Sequence, residues 1–364
     1  MITIIKQIIQ NFEFDVFIVL ILTSLSLASL GVFLVLKKIT MIIDAISHSV
    51  LLGIVLTFLL VNDLDSPFLI LGATFIGIFT AYIIDLFAKN KRIPVDASIG
   101  IVFTFLFSIA IIIISMYIRN IHIDTDAVFL GNIELTHKKQ IYKILPILIL
   151  NLFFIFCCYK ELKIFIFDPS LCLILGFSNT LINYILMFLL SLTSVISFDI
   201  VGSIMVISGI ICPAATSILL SDNLFKCFLL SLWISFVNTS IGYFIGILFD
   251  LPVASLIAFL NLIHFFVLLL FENKKGILSK IINNYFKKRK FIMITLLIHL
   301  KNHKNKIIMK KLNQNLKWSS FILDKCLKKA IQLNYIEIKN NFVILTTSGK
   351  FFLDENKKKL LEFI

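Results

Sequence analysis

Charge is scarce in this sequence. Only 15% of its 364 residues are Asp, Glu, Lys or Arg, against 59% hydrophobic, and the mean hydropathy is +1.01. That balance excludes a soluble globular chain and leaves an integral membrane protein. The six cysteines, Cys157, Cys158, Cys172, Cys212, Cys227 and Cys326, form no CxxC pair. Most fall in apolar runs, so neither a cysteine metal cluster nor a disulfide framework is expected. No GxxxxGK[ST] phosphate loop occurs, which excludes ATP hydrolysis of that type by the chain itself. The first apolar stretch, 17–36, is too long for a signal-peptide core and lacks a small-x-small cleavage site, so it is expected to stay as a span. The inverted repeat usual in ion-coupled secondary transporters is not found.

Runs long enough to span a membrane stand near 17–36, 43–61, 67–88, 97–118, 142–159, 180–198, 200–220, 225–248 and 253–271. These predict an all-α polytopic bundle of eight or nine transmembrane helices. Basic residues gather at Lys37 and Lys38, at 89–92, at Lys160 and Lys163, at Lys226 and at Lys274 and Lys275, while the loops at 62–66, Asp199 and Asp250 carry none. Positive charge stays inside, so the N-terminus is expected outside and the C-terminus in the cytoplasm. Loop 119–141, with Arg119, Lys138 and Lys139, fits that assignment less well.

Charge also divides the chain. Residues 1–272 hold 13 basic and 16 acidic groups, whereas 273–364 hold 21 basic and 5 acidic. Hydrophobicity breaks at the same point. The predicted organisation is a transmembrane domain at 1–272, a basic linker at 273–290 and a cytoplasmic domain at 291–364.

Asp44 and His48 stand four residues apart in the apolar run 41–53. On a helix they share a face, about 6 Å apart along the axis. An ionisable residue at mid-bilayer costs about 2.5–3.5 kcal/mol on insertion scales and so marks a binding site or ion path. A hard oxygen and a borderline nitrogen suit Mn²⁺, Fe²⁺ or Zn²⁺. A buried hydrogen-bonded pair without a metal is the alternative.

Asp168 and Pro169 begin a helix and Gly176 is placed to stop it, so 168–181 is read as a short cytoplasmic helix or a plain connecting loop. Gly202 and Gly209, with neighbouring serines and alanines, give a small-residue face for close helix approach, expected at a subunit contact. Pro213 should bend or end its helix and free a carbonyl, as tolerated beside a pathway. The loop His122 to Asp126 lacks a full donor set and is read as solvated. His264 is read as a satisfied or bundle-facing histidine.

In the tail, 291–302, 306–312 and 318–333 have helical period. They precede two short β-prone runs, 335–338 and 342–345, around Lys339-Asn340-Asn341. That is a winged helix-turn-helix layout. Lys325, Lys328 and Lys329 on the presumed recognition helix and Lys339 on the wing are candidate DNA contacts. A cap that contacts an ATPase, RNA or the anionic inner leaflet is the alternative. His299 and His303 share a face at ligand spacing but are read as a solvated pair.

Several segments, taken in order, resemble the permeases of ABC-type manganese, zinc and iron importers. Asp44-Ala45-Ile46-Ser47-His48-Ser49-Val50-Leu51-Leu52-Gly53 is similar to that family's D-A-L-S-H-A-V-L-P-G, with Ser49 for Ala and Leu52 for Pro. Ala97 to Thr104 is similar to A-I-G-I-V-F-T, 128–133 to L-F-G-N-I, and Phe167-Asp168-Pro169 with Leu175-Gly176 to F-D-P…L-G. Val201-Gly202, Pro213-Ala214-Ala215-Thr216 and Asp250-Leu251-Pro252 are similar to V-G…P-A-A-T and D-L-P.

The resemblance implies a dimeric, homo- or heteromeric permease in the bacterial cytoplasmic membrane. It implies a separate ATPase docked on 169–181, an extracytoplasmic metal-binding protein, and Asp44 and His48 as transient ligands of a transported divalent metal. No permanently bound cofactor and no enzymatic activity are implied. The tail resembles the DNA-binding domain of iron-dependent repressors of the diphtheria-toxin-repressor type, with Leu345-Thr346-Thr347-Ser348-Gly349 similar to the L-T-x-x-G that closes such wings. Those repressors carry most metal ligands beyond the wing, so the tail is not expected to sense metal. The rival reading is a membrane-tethered, metal-responsive transcription regulator.

Overall fold

The computed structural model describes residues 13–63, 66, 68–88, 93–117, 138–272, 276–303, 306–308, 312, 315, 316, 318–339 and 342–361. The loop with His122, Asp124 and Asp126, the stretch 128–133 and the turn at 340–341 lie outside the described residues. The chain divides into two compact units, Met1–Glu272 and Asn273–Ile364.

The first unit consists of α1 (Phe14–Lys37), α2 (Ile42–Val61), α3 (Phe68–Ala88), α4 (Val95–Tyr117), α5 (Lys138–Cys157), the short α6 (Tyr159–Phe167) and α7 (Pro169–Ile174), then α8 (Asn179–Leu220), α9 (Leu224–Phe249) and α10 (Val253–Phe271). Among the described residues, eight of these helices are long and apolar enough to cross a membrane. The chain is a multi-pass membrane protein.

α8 has 42 residues, about 63 Å if straight, roughly twice the bilayer's hydrocarbon thickness. It is not straight. Gly202 sits at φ 75°, ψ 168°, a backbone region open essentially to glycine alone. Before it, Asn183 accepts a hydrogen bond from Lys37 Nζ. After it, a Cβ on Gly31 would run into the backbone of Ile210 and stand 3.1 Å from Ala214 Cβ. Residues 183 and 214 would lie about 46 Å apart on a straight helix, yet both meet the last two turns of α1. The chain therefore doubles back at Gly202, and the stretches expected at 180–198 and 200–220 are the two arms of α8.

α1 is the axis of this bundle, packed against α5, α8 and α9, and every residue from Ser26 to Leu34 is buried. Lipid gives helices no hydrophobic reason to associate, so small residues and interhelical hydrogen bonds hold them, the bonds at about 0.6 kcal/mol each. Ser231 and Ser235 of α9 donate to the carbonyls of Ala28 and Ser24 at 3.3 and 3.0 Å. Gly209 of α8 faces Leu27, whose Cδ1 would stand 3.3 Å from an added Cβ. Gly209 and Ala214 of the small-residue face thus pack on α1 of the same chain. Pro213 does not end its helix, which continues to Leu220.

The second unit has α11 (Ile277–Asn302), β1 (Lys306–Ile308), α12 (Ser320–Gln332), β2 (Ile336–Lys339), β3 (Phe342–Leu345) and α13 (Thr347–Leu361). The sheet is antiparallel in the order β1-β3-β2, with Val343 opposite both Ile307 and Ile338. Its core joins Leu296, Leu297 and Leu300 of α11 to Leu323, Leu327 and Ala330 of α12 and to Ile336, Val343 and Leu345 of the strands. Two expectations are corrected. The stretch read as a linker is helical from Ile277 and continuous with 291–302. The helix read at 306–312 begins instead as a strand, because pairing with β3 buries Ile307.

Candidate functional site

Asp44 lies in the first turn of α2, where the helix dipole favours a carboxylate. His48 follows one turn later, and its Nε2 stands 3.4 Å from Asp44 Oδ1. The spacing thus brings both side chains to one point. His48 is set between aromatic rings of α4, with centroids 5.5 Å from Phe103 and from Phe107. The Asp44 side chain remains 45% exposed and that of His48 26%, so a cation held by both would keep open coordination positions. Among the described residues no group of three or more His, Cys, Asp and Glu could hold a metal.

The helix that carries this pair is locked against α3. A Cβ on Gly53 would lie 2.6 Å from Ala73 Cα and 2.7 Å from Gly72 O, so only glycine allows the crossing. Ser49, buried, is hydrogen-bonded to Thr80 Oγ1 at 2.8 Å.

Asp168 caps α7, its Oδ1 accepting from the amides of Ser170 and Leu171 at 3.1 and 3.0 Å. Pro169 occupies the first turn, where its missing amide costs nothing. Gly176 takes φ +84° while the Phe177 amide donates to Cys172 O, a left-handed helix stop. The helix is therefore 169–174 and stops at Gly176 as expected, and the rest of the 168–181 segment enters α8, whose cap is Ser178. Leu173, Ile174 and Leu175 are exposed at 61%, 81% and 53%.

In the second unit, Lys325, Lys328 and Lys329 of α12 join Lys288 and Arg289 of α11 around a groove of about 500 Å³. Ile292, Met293, Phe321 and Cys326 also line it. Burial pushes the Cys326 thiol up to about 11. Lys339, on β2, hydrogen-bonds Glu337 at 2.8 Å, which raises its pKa above the ordinary lysine value. His299 and His303 have ring centroids 4.7 Å apart. His299 is half-buried, with its Nε2 enclosed and unbonded, rather than solvated as expected. Burial and then the neighbouring His303 lower its pKa.

Residues 10–272 match the ABC 3 transport family. The chain belongs to that family. It is 36% identical over 283 residues to the manganese transport system membrane protein MntD of Bacillus subtilis, covering 74% of this chain and 96% of that protein. It is 33% identical over 352 residues to the zinc transport system membrane protein TroD of Treponema pallidum, covering 92% and 96%, a match that runs into the basic tail. The solved structure of PsaBC from Streptococcus pneumoniae in complex with Fab is similar at a TM-score of 0.65 and 29% identity, covering 76% of this chain and 98% of that one. This ABC 3 family member is a transport subunit, not an enzyme.

Sequence reasoning missed the polar pairs that sit between its helices. Asn238 donates to Asn261 at 2.8 Å and its Oδ1 lies 3.0 Å from His264 Nδ1, so α9 and α10 are joined by a polar chain. Asn151 donates to Thr193 at 2.9 Å. The signal was available in outline, since an amide inside an apolar span requires a partner.

Proposed function

We propose that this chain is the permease subunit of an ATP-driven importer of a divalent transition metal, manganese or zinc, with Asp44 and His48 as transient ligands. The observation that carries this reading is the 3.4 Å approach of His48 Nε2 to Asp44 Oδ1 within an apolar helix. One oxygen and one nitrogen are too few for a stable four- to six-coordinate site. Water, the delivering protein or a second permease supplies the remainder, and incomplete coordination is what allows release. Iron(II) shares these donor preferences.

The names of the relatives support manganese and zinc, and the PsaBC structure supports a permease dimer. A separate ATPase docks on the exposed side chains of α7, and an extracytoplasmic binding protein delivers the metal to the opposite face. The tail faces the cytoplasm. Its helix, strand, helix and β-hairpin order supports a winged-helix fold, to which we assign a regulatory role. Reconstitution with the ATPase subunit tests the reading: Mn²⁺ or Zn²⁺ should stimulate hydrolysis and accumulate in the vesicle.

A second reading, a membrane-tethered regulator, is favoured only by the five cations around the groove of the tail. Metal-dependent promoter binding without transport would support it.

A further inference from the structure

From Ile277 to Lys290, α11 buries none of its side chains. Ile277, Leu278, Ile281, Ile282, Tyr285 and Phe286 are each 40% to 59% exposed. At 100° per residue these six cover one half of the helix, while Ser279, Lys280, Asn283, Asn284, Lys287 and Lys290 cover the other. Arg289 stands over the Tyr285 ring at 4.4 Å. With Lys288 it closes the apolar half at the mouth of the basic groove.

Two facts identify what covers this face. The last membrane helix ends at Phe271 and α11 begins at Ile277. At about 3.6 Å per residue the connecting chain reaches roughly 20 Å, so the apolar face starts within that distance of the bilayer. In addition, residues 273–323 contain 13 Lys and Arg and no Asp or Glu. A nucleic-acid duplex would satisfy the cations but leave six large apolar side chains in water. An anionic bilayer surface satisfies both.

We propose that residues 277–290 form an interfacial helix lying along the anionic cytoplasmic surface of the membrane. Lys288, Arg289, Lys325, Lys328 and Lys329 then take lipid phosphate headgroups in the groove at its end. The side of the membrane rests on the importer reading; the contact with lipid does not.

The test uses the full chain in nanodiscs, with Trp233 and Trp318 replaced by Phe and one tryptophan introduced as Ile281→Trp or, on the opposite face, Asn283→Trp. Quenching by brominated phosphatidylcholine is compared with and without phosphatidylglycerol. The expected result is several-fold stronger quenching at 281 than at 283, greatest with the anionic lipid, and loss of that excess when Lys287, Lys288, Arg289 and Lys290 are changed to Glu. Equal quenching at both positions, or none at either, overturns the proposal. So does a response at 281 to added duplex DNA or to the ATPase subunit without a response to brominated lipid. The readout requires no transport, so it stands or falls separately from metal import.

Discussion

Ser49 Oγ and Thr80 Oγ1 are hydrogen-bonded at 2.8 Å between α2 and α3, one residue past His48. Both hydroxyls also have backbone acceptors in their own helices, Ile46 O at 3.1 Å and Ile76 O at 2.7 Å. Ser49→Ala should therefore lower stability by only about 1 kcal/mol and leave metal uptake intact. Thermal unfolding together with uptake in the same preparation checks this.

Gly53 tolerates no such change. Its Cβ would meet backbone atoms of α3 at 2.6 to 2.9 Å, so Gly53→Leu must push the two helices apart. Loss of uptake together with a lowered unfolding temperature is expected, whereas wild-type behaviour would mean that α2 is not held at this crossing.

Gly202→Ala should be costly for a different reason. The backbone at φ 75° and ψ 168° strains any residue with a Cβ by about 1–3 kcal/mol, and the reversal of α8 depends on it. Reduced membrane insertion, read by protease protection of the loops, is the expected outcome.

On α7, changing Leu173 and Ile174 to Asp should abolish co-purification of the ATPase while leaving the chain inserted. Both side chains are exposed, so folding does not need them. Retained ATPase binding and metal-stimulated hydrolysis in this variant would move coupling elsewhere.

His299 gives the tail a pH dependence. Its folded pKa lies below the ordinary histidine value, so the unfolded chain binds the proton more readily and stability rises with pH. The contribution is complete above the unfolded value of about 6.5 and is lost as pH falls through the lowered folded pKa. Unfolding followed through Trp318, in a chain carrying Trp233→Phe, should show this slope, and His299→Leu should remove it.

How much of this was legible from the residues depended on how local the cause was. The pairing of Asp44 with His48 follows from helical spacing alone, and the Asp168, Pro169 and Gly176 signals give both ends of α7. Thr346 and Gly349 were legible only as a resemblance. In the structure Thr346 Oγ1 donates to Asn334 O and accepts from the Gly349 amide, while a Cβ on Gly349 would strike Tyr335 O.

What could not be read was set by distant partners. Ile307 reads as readily in a helix as in a strand until Val343 lies opposite it. The small face at Gly209 could have met a second subunit as well as Leu27 until the fold-back of α8 placed it on α1. The linker reading failed at Ile277 because a run of lysines conceals an amphipathic period.

The proposed role of Asp44 and His48 as metal ligands can be measured by uptake of radiolabelled Mn²⁺ or Zn²⁺ into proteoliposomes that contain the ATPase. Asp44→Ala and His48→Ala are compared with the unaltered chain at equal insertion and equal ATPase binding. Each variant should lose uptake, because each leaves the cation a single donor. Uptake at the unaltered rate in both variants would contradict the ligand role.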